Sequence, residues 1–487
     1  MGNLSDSPEA AAYRDLLRRL LEFHDTDAGN AESFELLHGE EFRHDCTHGK
    51  WLMWNGNYWE TDETGQAERA ALDTVRKRFQ AVATMGISAN EEGRKVKEAR
   101  TRWALSSESL YHRRALLKSA ESIKSLATKT TDYNRDAFLL TVGNGTLDLR
   151  TGELREAQPA DLITRATDVD YSPGAKCPRW LRFLDEIFDG DNQVIEFVWR
   201  AVGYTLTGST QEQCLFILYG DGANGKSTFL EILIGLLGTH AEVTPFSTFL
   251  IHHNPGNPRN DLAKLHGARL VKAAESPRQA VLDEALVKEA TGDDSMSARF
   301  LFKELFVFKS QMKIWMATNH KPRISGTDDA IWRRMRLIPF MHKFAGRSRD
   351  PRLADKLRGE FSGILAWAVQ GCLEWQQSGL GMAPVVEAAT LGYRRESDQI
   401  GRFLKEWCTT GAKDRTSGNE LYQTYLEWCA INKEKPVAIN AFAKSLSDRG
   451  IQKKRGSQGT TYRGIGLVPE AARAKLVQQP RGGDPHV

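Results

Sequence analysis

The sequence predicts an α/β protein in which a parallel, helix-flanked sheet is preceded by an α+β module and followed by a helical module. Two observations favour this class. Short apolar runs at 214–219, 269–274, 313–318 and 336–340 alternate with helical patterns, an order typical of parallel sheets. The first run leads into "GDGANGKST", after which apolar residues recur at helical spacing, so a glycine-rich loop joins a strand to a helix.

Length and composition limit the classes of protein that the chain can represent. Its 487 residues predict two to four domains. The 66 Lys and Arg and 63 Asp and Glu give a net charge of +3, so a nucleic-acid surface would be a local feature. Six scattered cysteines without a C-x-x-C pair favour a reduced, cytosolic compartment. Because no apolar run has the length of a membrane span, we expect no membrane partner.

Residues 1–171 are predicted to form the α+β module. Helical spacing covers 8–23 and most of 66–128, and "GKWLMWNGNYWE" between them has the Asn-Gly turn and aromatic residues of a β-hairpin. A second hairpin is predicted in "FLLTVGNGTLDLRTGELREA" from its alternating apolar positions. The turn-rich "SPGAKCP" at 172–178 then marks the start of the nucleotide-binding unit.

The remaining boundaries follow from spacing and composition. We expect the nucleotide-binding unit at 172–345, a helical linker at 346–397, a compact unit at 398–467 and a disordered tail at 468–487. The compact unit is predicted to contain three helices and then a basic hairpin, "IQKKRGSQGTTYRGIGL".

The glycine-rich loop has the pattern G-x-x-x-x-G-K-[ST], which is typical of a phosphate-binding loop. Glycines allow backbone N–H groups to converge on phosphate oxygens, and the following helix N-terminus adds positive potential. We expect Lys226 to reach the β- and γ-phosphates of ATP and the Ser227 hydroxyl to ligate Mg²⁺. The predicted ATP-binding residues are Gly220, Asp221, Gly222, Ala223, Asn224, Gly225, Lys226, Ser227 and Thr228.

Two polar residues follow the next predicted strands at the edge where ligands of open α/β sheets bind. Glu275 comes after the strand at 269–274 and is predicted to orient the attacking water, with Mg²⁺ held by Ser227, phosphates and solvent. Asn319 comes after the strand at 313–318 and is predicted to sense the γ-phosphate or hold that water. A plain strand-end glutamate and a turn asparagine are the alternatives.

Basic residues in the same unit suggest two further roles. Arg333 and Arg334 precede the last apolar strand and are candidates to stabilise transition-state charge in a neighbouring subunit, or else form a solvated basic cluster. Arg299 and Lys303 lie in "ARFLFKELFVF", which predicts an exposed hairpin that could grip a DNA backbone. The alternative for its phenylalanines, Phe302, Phe306 and Phe308, is burial in the core.

These motifs, in the order phosphate loop, Glu-ended strand, basic hairpin, Asn-ended strand and paired arginines, resemble the superfamily 3 helicases. More narrowly, residues 25–467 resemble the C-terminal part of the phage, plasmid and poxvirus primase-helicase family. The resemblance implies an AAA+-like P-loop ATPase domain that binds ATP and Mg²⁺ and works as a ring, usually a hexamer, translocating 3′ to 5′ on DNA. By the same resemblance the catalytic residues are Lys226, Glu275, Asn319, and Arg333 or Arg334 acting in trans, with Arg299 and Lys303 lining the DNA pore.

The unit at 398–467 also resembles a winged-helix module. Its basic hairpin predicts DNA-backbone contacts from Lys453, Lys454, Arg455 and Arg463, with a solvated basic hairpin as the alternative. We expect neither a metal site at "HDCTHG" nor a primase centre at the Asp-x-Asp pairs beginning at Asp25 and Asp168.

The combined expectation is an ATP-dependent replicative DNA helicase of a mobile element, without its primase, in the cytoplasm of a bacterial host. A separate primase or replication initiator is a possible partner. Two alternatives stay open: an origin-binding initiator or loader switched by ATP, and a primase-helicase with an unrecognised primase centre.

Overall fold

The computed structural model describes most of the chain between residues 7 and 473. The described ranges are 7–86, 90–251, 260–274, 280–299, 305–324, 326, 328–345, 350–456, 459–470 and 472–473. Glu275, Phe302 and Lys303 lie outside the described residues, as does most of the predicted tail.

In its described residues, the N-terminal part contains two small sheets and five α-helices. Strands β1 to β4 form a sheet in the order β3-β2-β1-β4, and β5, β6 and β7 form an antiparallel meander. Both predicted hairpins are confirmed: Trp54 pairs with Trp59, and Val142 with Gly145. The bounds are α1 Pro8–Leu20, α2 Asp27–His38, β1 Phe42–Asp45, β2 Lys50–Trp54, β3 Trp59–Thr61, α3 Gln66–Thr84, α4 Glu91–Ser107, α5 Leu110–Ala120, β4 Ala127–Thr128, β5 Leu139–Val142, β6 Gly145–Asp148 and β7 Glu153–Arg155.

The central part is built on a five-stranded sheet in the order β14-β8-β13-β10-β9, in which every neighbouring pair is parallel. The mixed α/β fold with a parallel sheet is therefore confirmed. Strand β9 was not predicted because "AEVTP" at this sheet edge lacks an apolar run. The bounds are α6 Pro178–Ile187, α7 Asn192–Leu206, β8 Leu215–Tyr219, α8 Lys226–Leu237, β9 Ala241–Pro245, α9 Asn260–Ala263, β10 Leu270–Ala274, α10 Glu284–Thr291, β11 Ser295–Ala298, β12 Phe306–Lys309, β13 Lys313–Thr318, α11 Asp329–Trp332 and β14 Met335–Pro339.

Helices cover the central sheet, and one hydrophobic core extends from it to the N-terminal meander. Leu140 and Leu147 of the meander are buried in the same cluster as Phe216 of β8 and Phe229 of α8. Gly203 of α7 allows close helix packing, since a Cβ there would lie 2.1 Å from the backbone nitrogen of Cys372. These contacts hold the sheet and the meander in one packed unit.

Two fully buried cations join the meander, α7 and the sheet. Arg269 donates hydrogen bonds to the carbonyl oxygens of Leu139 and Leu206. The Lys313 ammonium donates to the Thr207 oxygen and, at 2.9 Å, to the Gln311 oxygen. Burial lowers the pKa of both side chains, that of Arg269 to about 10. The carbonyl groups at the end of α7 carry partial negative charge, which stabilises cations at this position.

The C-terminal part places a three-stranded antiparallel sheet, in the order β15-β17-β16, against helices. Phe403, Tyr425, Trp428 and Phe442 form its aromatic core. The expectation of three helices followed by a hairpin omitted β15, because "CTTGAKDRTS" lacks apolar alternation and its threonines are interrupted by Gly, Ala, Lys and Asp, which are depleted in strands. The bounds are α12 Leu353–Arg358, α13 Phe361–Ser378, α14 Pro384–Ser397, α15 Gln399–Trp407, β15 Cys408–Ser417, α16 Gly418–Ile431, α17 Ile439–Asp448, β16 Gln452–Gly456 and β17 Gly459–Leu467.

Among the helices in the described ranges, none has the length and hydropathy needed to cross a membrane.

Candidate nucleotide and DNA sites

The glycine-rich loop lies between the carboxyl end of β8 and the first residue of α8. It is fixed by the buried Asn224, whose side-chain amide donates to the Phe340 oxygen at 2.9 Å. A Cβ on Gly220 would lie 2.3 Å from that oxygen, so only glycine allows this approach. Gly222 and Gly225 have φ values of +106° and +87°, in the left-handed region that favours glycine. The chain therefore curls before it enters α8.

Lys226 is the first residue of α8, and its ammonium is buried under the loop. The ammonium donates to the Gly220 oxygen at 2.5 Å and to the Asn224 side-chain oxygen at 3.0 Å. Burial lowers its pKa to about 8. Ser227 is exposed on the first turn of the same helix, where N–H groups point out of the helix end. A phosphate oxygen at this helix end would meet both the ammonium and these N–H groups.

Asn319 lies at the same edge of the sheet as the loop. It follows Thr318, the last residue of β13, which pairs with Tyr219 at the end of β8. The side chain of Asn319 is exposed. Strand β10 ends at Ala274 beside Ala317, so the chain also reaches this edge immediately before Glu275. The structure brings the loop and Asn319 together here, and the catalytic roles of Glu275 and Asn319 stay predictions.

Arg333 and Arg334 lie at the opposite end of the strands from the loop, beside the first residue of β8. The backbone oxygen of Arg334 accepts a hydrogen bond from Leu215, the first residue of β8, at 2.9 Å. Strand β8 has five residues, which at a rise of about 3.3 Å each separate this end from the loop by roughly 16 Å. That distance exceeds the reach of an arginine side chain. Neither arginine can therefore contact a phosphate in the loop of its own subunit.

The two arginines differ in exposure and in bonding. Arg334 is 7% exposed and donates to the Thr291 hydroxyl at 3.2 Å, the Ala330 oxygen at 2.6 Å and the Gln213 side-chain oxygen at 3.3 Å. Arg333 is exposed and donates to the same Gln213 oxygen at 2.9 Å. Of the pair, Arg333 is thus the one whose guanidinium is exposed, and its trans-acting role stays a prediction.

The predicted basic hairpin corresponds to β11 and β12, which pair antiparallel from Ser295–Lys309 to Ala298–Phe306. Phe306 and Phe308 are buried, so the core alternative is correct for these two rings and base stacking by them is excluded. Arg299 is exposed directly after β11. The structure keeps Arg299 available for a nucleic-acid backbone.

The C-terminal sheet presents a basic face that was only partly predicted. Tyr462 is buried, so its neighbour Arg463 points to the opposite, solvent-facing side. Arg463 pairs with Arg415 of β15 on one side, and Lys454, which pairs with Thr461 two positions along the strand, lies on the same face. Arg415 was missed because its strand was not predicted, and the sequence around it carried no signal for a strand.

The other predicted basic residues of this hairpin lie on its second face. Lys453 pairs with Tyr462, and Arg455 pairs with Thr460, so both alternate away from Lys454. Both cations remain exposed. The four predicted contacts therefore divide between two faces of the sheet and do not form a single surface.

The motif "HDCTHG" forms a local polar cluster. The His48 ring lies 2.6 Å from the Asp45 carboxylate, which also accepts from the Thr130 hydroxyl at 2.6 Å. Within the part of the chain that the structure describes, no group of three or more His, Cys, Asp or Glu residues is placed to hold a metal ion.

Family models match three separate segments of the chain. The model described as "D5 N terminal like" matches residues 31–189, a "Family of unknown function (DUF5906)" matches 218–334, and "Poxvirus D5 protein-like" matches 395–457. The chain thus combines D5-like segments near both ends with a mixed α/β fold. The predicted resemblance to the phage, plasmid and poxvirus primase-helicase family is confirmed.

Curated relatives are viral proteins named as helicases or primases. "Putative helicase L207/L206" of Acanthamoeba polyphaga mimivirus is 27% identical, over 62% of this chain and 34% of the relative. "Putative helicase 022R" of Frog virus 3 is 22% identical, over 61% and 39%. "Putative primase C962R" of African swine fever virus is 22% identical, over 70% and 38%. The chain spans between a third and two fifths of the length of these relatives.

Among solved structures, the apo structure of the NrS-1 C terminal region is similar at a TM-score of 0.46 and 10% identity, covering 89% of this chain and 97% of that one. The chain is thus similar, over part of their length, to viral proteins named as putative helicases and primases. They come from viruses of eukaryotic hosts, so the bacterial host stays a prediction.

Proposed function

We propose that the chain is the ATPase motor of a superfamily 3 DNA helicase, an AAA+-like P-loop ATPase that acts in viral or mobile-element replication. The observation that carries the proposal is the distance between the phosphate loop and Arg333. They lie at opposite ends of strand β8, roughly 16 Å apart. A site containing both groups needs two subunits side by side. A ring of subunits, which we take to be a hexamer, supplies such a site at every interface.

In this site each side chain has a defined task. Lys226 and the first turn of α8 hold the β- and γ-phosphates, and Glu275 and Asn319 hold the attacking water. The Ser227 hydroxyl, exposed beside these phosphates, suits a magnesium ligand. Mg²⁺, when bound, neutralises charge on the phosphate oxygens. Arg333 of the adjacent subunit stabilises the charge that develops on the γ-phosphate.

DNA contacts are proposed at two places. Arg299, together with Lys303, which lies outside the described residues, would contact single-stranded DNA in the centre of the ring, with 3′ to 5′ translocation. The second place is the basic face of the C-terminal sheet, formed by Lys454, Arg463 and Arg415. It suits the backbone of a duplex because the three cations lie on one side of the sheet, where Arg463 pairs with Arg415 and Lys454 pairs with Thr461, two residues before Arg463.

The experiment is strand displacement on forked DNA with ATP and Mg²⁺. We expect unwinding by the full chain, its loss in Lys226→Ala and Glu275→Gln, and its retention in Arg18→Ala, a control at an exposed position of α1. Slow ATP turnover without DNA stimulation, and no displacement on any fork, would instead support an initiator or loader.

Relatives named as primases favour one second candidate, nucleotide polymerisation. The Asp-x-Asp pair formed by Asp25 and Asp27 gives this activity little support. Asp25 lies 3.2 Å from the Arg78 guanidinium, and Asp27 lies 2.8 Å from the His112 ring, so both carboxylates join helices. Template-dependent incorporation of ribonucleotides by the purified chain would establish this activity.

A further inference from the structure

Gln213 holds both arginines of the candidate site with one atom. Its side-chain oxygen accepts from Arg333 at 2.9 Å and from Arg334 at 3.3 Å. Gln213 precedes β8 by two positions. It therefore lies at the amino-terminal end of this strand, whereas the phosphate loop of the same subunit follows the carboxyl end. The amide oxygen fixes the exposed guanidinium next to the buried one.

The backbone of Gln213 is in a conformation that glutamine rarely adopts. Its φ value is +47°, in the left-handed region, and its N–H donates to the Thr210 oxygen at 2.9 Å in a tight turn. Glycine and asparagine adopt this conformation with less strain. Retained backbone strain is common where a side chain has a functional task, and the task visible here is the contact with the arginines.

Arg334 connects this contact to the DNA-facing hairpin. It donates to Thr291, the last residue of α10, and α10 leads through a short turn into β11. The hydroxyl of Ser310, the residue directly after the other strand of the hairpin, donates to the Ala290 oxygen at 2.5 Å. The end of α10 is therefore bonded both to the hairpin and to the arginine pair.

We propose that Gln213 is a positioning residue for the trans-acting Arg333, anchored through Arg334 to the end of α10. The proposal rests on the proposed function, because it assumes that Arg333 acts in the neighbouring subunit's site. An arginine held in one orientation meets the neighbour's γ-phosphate without first losing side-chain freedom. An unheld arginine would have to be ordered during every turnover.

The test is steady-state ATP hydrolysis by the full-length assembly, with its size measured in parallel. Gln213→Asn keeps an amide and suits the left-handed backbone, but it is one methylene too short to reach both arginines. Gln213→Gly removes the side chain and also relieves the strain. We expect both to lower kcat about tenfold, as the loss of an orienting contact does, with KM for ATP unchanged.

Controls separate positioning from a structural role. Gln211→Asn makes the same chemical change at an exposed position of the same turn and should leave kcat unchanged. The thermal unfolding temperature of Gln213→Asn should not fall, because strain is relieved. In an Arg333→Ala background, Gln213→Asn should cause no further loss of kcat.

Three results would count against the proposal. If Arg333→Ala leaves kcat unchanged, the trans arginine of the proposed function is refuted, and this inference with it. If Arg333→Ala lowers kcat but neither Gln213 variant does, only the positioning role is refuted. If the Gln213 variants lower kcat equally with and without Arg333, Gln213 acts by another route and the inference is wrong.

Discussion

ATP binding should weaken as pH rises above 8, because Lys226 must carry a proton to hold the phosphates. In the folded protein burial lowers its pKa from the ordinary 10.5 to about 8. At pH 9 about a tenth of the nucleotide-free protein therefore carries the ammonium. Binding a triphosphate restores the charge, so each ATP that binds takes up a proton from solution.

The size of the effect follows from that difference in pKa. The dissociation constant for ATP should rise about tenfold per pH unit above pH 8, and at most about 300-fold in total if the bound lysine returns to its ordinary pKa. The phosphates contribute no titration of their own here, since the last phosphate pKa is near 6. Whereas the affinity for ATP falls with rising pH, the stability of the nucleotide-free protein should increase. Between pH 8 and 10.5 the unfolded chain binds more protons than the folded one, so the free energy of unfolding rises with pH.

Titration calorimetry at pH 9 in two buffers of different ionisation enthalpy measures the proton uptake directly. We expect close to one proton per ATP for the wild-type chain. Lys226→Arg is the matched control, because arginine stays protonated throughout this range and should show no uptake. Equal proton uptake by the two proteins, or an affinity for ATP that stays constant from pH 7 to 10, would refute the reasoning.

Three other perturbations test separate parts of the structure. Gly220→Ala forces a Cβ to 2.3 Å from the Phe340 oxygen, so KM for ATP should rise and stability should fall by about 1–3 kcal/mol in chemical denaturation. Lys313→Met leaves the carbonyl oxygens of Thr207, at the end of α7, and of Gln311 without their buried donor and should cost about 1–3 kcal/mol, measured in the same way. Arg415→Glu should weaken duplex DNA binding and reduce its salt dependence, whereas Lys453→Glu, on the other face, should do so less.

A specific result would contradict each of these three predictions. An unchanged KM and unfolding midpoint in Gly220→Ala would mean that the loop shifts to admit a methyl group. Full stability of Lys313→Met would show that the Thr207 carbonyl finds another donor. Equal effects of Arg415→Glu and Lys453→Glu on binding would mean that DNA does not distinguish the two faces.

The sequence predicted the fold best where the residue types present are typical of a single structure. The glycines and Lys226 of the loop, and the apolar runs of β8, β10, β13 and β14, predicted the parallel sheet and the position of the loop. Strand β9 was missed because "AEVTP" forms no apolar run, and β15 was missed because its residues are largely polar. Their pairing is decided by neighbours far along the chain.

The sequence by itself determined that a phosphate loop enters a helix, that an asparagine and two arginines follow it, and that the chain resembles a primase-helicase family. Only the tertiary structure decided which arginine is exposed, because Arg333 and Arg334 are adjacent and chemically identical. Burial and hydrogen bonds come from distant residues, here Thr291 and Gln213, and they made one guanidinium part of the core and left the other at the surface.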